Sequence, residues 1–147
     1  MNATRLFASA VAALSLLACS RAFAEAPDTS KLYSVQAEAT PSVKAGDQGK
    51  VTITFKTEAG AHISDEAPLK IVLSGKNVTP AKATLHYQDS LAQKTAAQSY
   101  PDPRFEVPFT TQAKGQGEVD AKMTFFVCSA NLCARHEQTV ALPVTVK

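Results

Sequence analysis

The chain has 147 residues, 45% of them hydrophobic, with 15 Lys and Arg against 13 Asp and Glu, and no Trp. Arg5 and Arg21 fall in an N-terminal segment read below as a signal, so the remainder carries 13 charges of each sign. That balance lacks the basic footprint of a nucleic-acid binder, and no later segment approaches the ~20 apolar residues of a membrane helix.

Residues 1–24, MNATRLFASAVAALSLLACSRAFA, combine an early Arg5, an apolar run over 6–17 and the small-x-small triplet Ala22-Phe23-Ala24. This is the pattern of a secretory signal, with Glu25 opening the mature chain. A second reading uses LLAC at 16–19, which resembles a bacterial lipobox and would lipidate Cys19. Both readings imply export to the periplasm, and the second adds a lipid anchor. Both also remove Cys19 from the pairing arithmetic, leaving Cys128 and Cys133 in an oxidising compartment. Residues 25–147 fit one domain able to bury a core without a disulfide.

Residues 25–31 read as a polar leader. Extended segments follow at 32–39, 49–58, 69–74, 83–87, 104–110, 118–128 and 134–146, separated by Gly, Pro, Asn and Asp. The second is the clearest, with Val51, Ile53 and Phe55 alternating with Lys50, Thr52, Thr54 and Lys56. Seven such strands predict an all-β, immunoglobulin-like antiparallel sandwich. A helical turn or two is expected only in SLAQKTAAQ, 90–98. NVT at 77 reads as a turn rather than a glycosylation site, and GQG at 115–117 reads as another turn.

The last two strands are informative. With SANL (129–132) as the hairpin loop, Cys128 faces Cys133 and paired residue numbers sum to 261. One face then carries Val119 with Leu142, Ala121 with Val140, Met123 with Gln138, Phe125 with His136 and Val127 with Ala134. The other carries Lys122 with Thr139, Thr124 with Glu137, Phe126 with Arg135, and the two cysteines. The first set is mostly apolar, so one register satisfies both strands. His136 and Gln138 are the misfits, to be resolved by a rim position or a bulge.

That register places the cysteines on the solvent side, whereas a structural staple in a sandwich usually crosses the interior. Pro143 lacks an N–H and is tolerated where its pair is not hydrogen-bonded and its other side is a free edge. The cysteine pair lies ten residues along the same ladder and so belongs to the same class, with Cα atoms about 4.5 Å apart. Such closeness makes a disulfide easier to reduce. Closing a six-residue ring contributes only ~2 kcal/mol. Arg135, beside the pair, would favour a thiolate after reduction. These features suit a redox pair, yet an oxidised clip and a metal site share the same spacing.

GAHISDEAPLKIVLS (60–74), PRFEVPFT (103–110) and FFVCSANLCARHEQTVALPVTV (125–146) together resemble the N-terminal periplasmic domain of the thiol:disulfide interchange protein family DsbD. The resemblance spans roughly residues 49–147. It implies an immunoglobulin-like sandwich whose cysteines, here Cys128 and Cys133, take electrons from a membrane donor. It further implies that they pass those electrons to thioredoxin-fold periplasmic proteins. The segment 86–103 occupies the place of the family's cap loop, with Asp89 as the acidic residue near its start, and Phe126 and Arg135 lie beside the pair. The Cys-x4-Cys spacing is one residue shorter than in that family, and the aromatic-and-acidic cap signature is not recognisable.

CSANLCARH also resembles a loosened cupredoxin copper loop, and thiolate with imidazole is a sensible copper set. Cys128, Cys133, His136 and His62 would be the ligands, although each gap is off by one residue and no Met follows Cys133. Neither a Ser-His-Asp set nor a phosphate loop can be argued, so a hydrolase is not expected. The redox reading requires no cofactor. The remaining alternative is a binding module with an inert disulfide.

Overall fold

A computed structural model describes residues 28–147; the signal, the lipobox Cys19 and the start at Glu25 lie outside the described residues. Alternation becomes burial in β3 (Gln48–Thr57), where Val51, Ile53 and Phe55 are buried and Lys50 and Lys56 exposed. The same period shapes β1 (Tyr33–Ala39), β5 (Lys70–Lys76), β8 (Arg104–Thr111), β9 (Gly115–Cys128) and β10 (Cys133–Val146). Four shorter strands complete the fold: β2 (Ser42–Val43), β4 (His62–Ile63), β6 (Val78–Pro80) and β7 (Thr84–His86). All seven expected strands are present. The three additional ones, β2, β4 and β6, have two or three residues, too few for a period to be read.

One sheet runs β1-β3-β8-β6 and the other β2-β10-β9-β5-β7, with β4 also on β9. Every pairing is antiparallel except the short one between β10 and β2. The protein is an all-β, immunoglobulin-like sandwich. Its aromatic core joins the sheets without Trp. The Phe55 ring lies edge-on to Phe125 of the other sheet at 5.0 Å and to Phe105 at 6.2 Å. Tyr33 closes on Phe125 at 5.1 Å. Edge-to-face rings at these separations add to the burial of their apolar area. No buried side-chain nitrogen or oxygen among the described residues lacks a partner.

The β9–β10 ladder has the expected register along its whole length, from Cys133 opposite Cys128 to Val146 opposite Gly115. No bulge interrupts it. Leu142 and Val144 are buried, and Thr139, Ala141 and Thr145 exposed; Val140, expected to be buried, is only half-buried. Pro143 sits on the stretch of β10 that has no second neighbour, because β2 pairs only with Thr145 and Val146.

Three local expectations are corrected. No helix forms over 90–98; Ser90 is buried, and its hydroxyl accepts from the N–H of Ala92 and of Arg104. The Leu91 N–H donates to Arg104 O at 2.7 Å, so this stretch is tied to β8 rather than coiled on itself. GQG is strand, not turn, and opens β9; a Cβ on Gly117 would meet Lys76 O and Val78 at 3.1 Å. The polar leader contains a 3-10 turn, Thr29–Leu32, in which Thr29 is buried. Asn77 is a turn residue as read, with φ 58° and its carboxamide bonded to the backbone of Ala113.

Phe125→Ala removes the ring that ties the sheets and is expected to cost ~3–5 kcal/mol in urea unfolding. Gly49→Ala, whose Cβ would lie 2.3 Å from the Phe109 ring, is expected to cost ~1–3 kcal/mol through overpacking. An unchanged urea midpoint in either variant would contradict this account of the core.

Candidate functional site at the end of the hairpin

The site is built where the long hairpin turns. The Ser129 N–H donates to Leu132 O at 2.8 Å, which makes that pair hydrogen-bonded. The adjoining pair, Cys128 opposite Cys133, is therefore of the non-hydrogen-bonded type, the class with the nearest Cα atoms. The cysteines form a disulfide with Cα atoms 4.0 Å apart. Side chains of directly opposed residues share a face, so the bond lies on the outward face of its sheet, away from Phe125 and Val127.

The expectation that both cysteines face solvent holds for only one of them. Cys133 is exposed, whereas Cys128 is 4% exposed. The reason is nonlocal. β9 is an inner strand, and β4 pairs on its other side with His62 directly opposite Cys128. Cys128 thus lies between Cys133 and His62 on one face. The Tyr100 ring, from the segment that follows Asp89, stacks on His62 at 3.9 Å and 22°. Lys94 Nζ lies 5.4 Å from the centre of the Tyr100 ring and also pairs with Asp65. The hydrogen bond from Lys94 holds the Asp65 carboxyl below its ordinary value. His62, Tyr100, Lys94 and Asp65 therefore form one connected group beside the buried cysteine, and the 87–103 segment supplies two of the four.

Phe126 lies one rung from the disulfide on the same face, opposite Arg135, as the pairing required. Arg135 is ion-paired with Glu137 on its own strand. Asp89 is engaged elsewhere. Its carboxylate accepts from Lys82 and from the His86 N–H, capping the 3-10 turn Tyr87–Asp89, and the Lys82 hydrogen bond lowers its pKa. Sequence reasoning missed Tyr100, Lys94 and Asp65. A hint was available in an aromatic residue within the expected cap segment, but its partner on β4 could not be known.

The copper ligand set is not assembled. His136 is on the opposite face of β10 from Cys133, against Phe125 and Tyr33, with Nε2 hydrogen-bonded to Thr29 Oγ1 at 2.7 Å. His62 alone of the two histidines shares the cysteines' face. No group of three metal-capable side chains gathers among the described residues. The misfit of His136 is resolved by its rim position: it ties the 3-10 turn at Thr29–Leu32 to the last strand.

No family model and no curated protein matches the sequence. Several solved structures resemble the fold. A cohesin module of a family 33 glycoside hydrolase from Clostridium perfringens aligns at 8% identity over 79% of this chain and 97% of its own, with a TM-score of 0.47. A conjugative transposon lipoprotein from Bacteroides eggerthii aligns at 10% identity, covering 77% of this chain and 98% of its own, with a TM-score of 0.41. AggA, the major subunit of aggregative adherence fimbriae of Escherichia coli, aligns at 14% identity over 78% and 95%, with a TM-score of 0.40. Likeness at this level is one of architecture.

Two expectations arise from this geometry. Burial holds the His136 pKa below its ordinary value, so protonation favours the unfolded chain. Stability is then full above the unfolded histidine pKa of about 6.5 and falls as pH drops from there through the folded value. Unfolding midpoints at pH 7.5 and 5.0 should show this loss, and His136→Gln should reduce it. In a Cys133→Ser background, Tyr100→Ala should speed alkylation of the Cys128 thiol severalfold at constant pH. An unchanged rate would mean that the His62 and Tyr100 stack shields nothing.

Proposed function

We propose that this protein is an exported thiol–disulfide exchange domain whose redox pair is Cys128 and Cys133. The observation that carries the reading is the asymmetry of the pair: one exposed and one buried cysteine on the outward face at the end of the sandwich. Exchange requires a thiolate to approach one sulfur in line with the bond that breaks. An exposed Cys133 beside a shielded Cys128 offers one such path. The resemblance to the DsbD N-terminal domain supports the same assignment, with thioredoxin-fold proteins of the periplasm as partners and a membrane protein as electron donor. Among the described residues, no helix is long and apolar enough to cross a membrane.

In this reading a partner thiolate attacks Cys133 Sγ. The intramolecular S–S bond breaks, and its electron pair leaves on Cys128 Sγ. A second partner thiolate then attacks the partner's own sulfur in the mixed disulfide, releasing Cys133. The net change reduces the disulfide here to a dithiol and oxidises the partner's dithiol to a disulfide; the same steps in reverse pass the electrons on. Arg135, two residues from Cys133 on the same face and ion-paired with Glu137, would favour a thiolate there after reduction. Phe126 supplies apolar contact surface one rung from the bond.

The test is a reduction potential together with an exchange assay against a purified thioredoxin-fold protein. The expected potential lies above about −300 mV, the range below which structural disulfides typically fall. Cys128→Ser and Cys133→Ser should each abolish turnover, and Cys128→Ser should trap a mixed disulfide at Cys133. A potential below that range with no exchange would make the pair a clip. Stoichiometric copper on the purified protein would instead favour the metal alternative.

A further inference from the structure

The outward face of the cysteine-bearing sheet continues past the disulfide into a shallow groove of about 490 Å³. Its layout follows from the register. One rung from the cysteines lies Phe126 opposite Arg135; the next sets Lys70, Thr124 and Glu137 abreast, and the next Val72, Lys122 and Thr139. The floor is partly apolar, formed by Phe126, Pro68 and Val72, and Val72 is among the few large apolar side chains left exposed, at 37%. The rim carries Lys70, Lys122 and Arg135 against the single carboxylate of Glu137.

Of the three rim cations, Lys70 and Lys122 lack the ion pair that several other surface cations make. On the outward face of the opposite sheet, Lys50 and Arg104 both pair with Glu106. Lys82 and Lys94 pair with Asp89 and Asp65. Among the described residues Lys70 and Lys122 have no such partner, and Glu137 is already taken by Arg135. Asp120 follows Lys122 on the same face of β9, opposite Ser74 and outside the groove, and His86 flanks Lys70 from β7; neither lysine is ion-paired with a carboxylate among the described residues. Lys70 and Lys122 stand diagonally on adjacent strands, about 7–8 Å apart. Alternate side chains of an extended peptide repeat at roughly 6.6–6.8 Å.

We propose that this groove docks an acidic, extended segment of a partner protein, with the carboxylates of alternate residues on Lys70 and Lys122 and an apolar side chain further along the same face of the segment over Phe126. Extended peptides recognised by a charged, partly apolar surface use this division of labour, with charge setting orientation and association rate. The groove begins one rung from the disulfide, so its use in delivering a partner thiol rests on the exchange reading; the binding itself does not.

The experiment uses the oxidised, isotope-labelled protein and two probes, a decapeptide alternating Glu and Val and one alternating Lys and Val. Binding of the acidic probe should shift amide signals of residues 70–72, 122–126 and 135–137, weaken as salt is raised, and be absent for the basic probe. The double variant Lys70→Gln with Lys122→Gln should weaken the acidic probe roughly tenfold, the scale of two exposed ion pairs. Shifts scattered over the surface, or unchanged affinity in the double variant, overturn the proposal. So do the same shifts appearing on raising protein concentration alone, which would assign the face to a second copy of the chain. Because the probes contain no thiol, these outcomes are independent of whether Cys128 and Cys133 exchange.

Discussion

The structure depends on the β9–β10 ladder keeping one register through fourteen consecutive pairs. Side chains alternate faces with a period of two, so a slip of one residue would turn Phe125, Met123 and Val127 to solvent and drive Lys122 and Phe126 inward. All three of the first set are fully buried. Exposing them would cost ~1.5–3 kcal/mol each, together well above the ~2 kcal/mol of a short disulfide ring. The core therefore sets the register, and the register sets where the disulfide lies. The cysteines ride on a ladder that other residues hold.

This order of dependence separates the stability of the core from the disulfide. The sheets are joined by Phe55 against Phe125, with Tyr33 and Phe105 beside them, and the disulfide spans neighbouring strands of one sheet instead of crossing between sheets. A bond in that position can open and close without unmaking the core. His136 shows the complementary case. It lies on the same strand as Cys133 but on the inward face, where its contact with Thr29 is structural. One strand thus carries a packing face and a disulfide-bearing face, and parity alone decides which residue belongs to which.

Much of the site was readable from the chain, for a definite reason. The cysteine pairing, its outward parity, the neighbours Phe126 and Arg135 and the edge position of Pro143 all follow from one hairpin with a short loop. Local pairing needs no knowledge of the rest of the fold. Six of the seven expected strands were equally legible, because each holds seven or more residues and displays a period. The expected helix over 90–98 failed because Ser90 and Leu91 bond to Arg104, a partner no local propensity contains.

What the sequence by itself determined was therefore the sandwich, the terminal register and the face on which the disulfide sits. These rest on alternation and on contacts close along the chain. What only the tertiary structure decided was the burial of Cys128, the stacking of Tyr100 on His62, the binding of His136 to Thr29, and the diagonal placing of Lys70 and Lys122 across β5 and β9. Each arises where segments distant in sequence become neighbours, as β4 does on β9 and Thr29 does on β10. A two-residue strand such as β4 has no period to display. Its place is set by the backbone hydrogen bonds that β9 offers once the longer strands have packed.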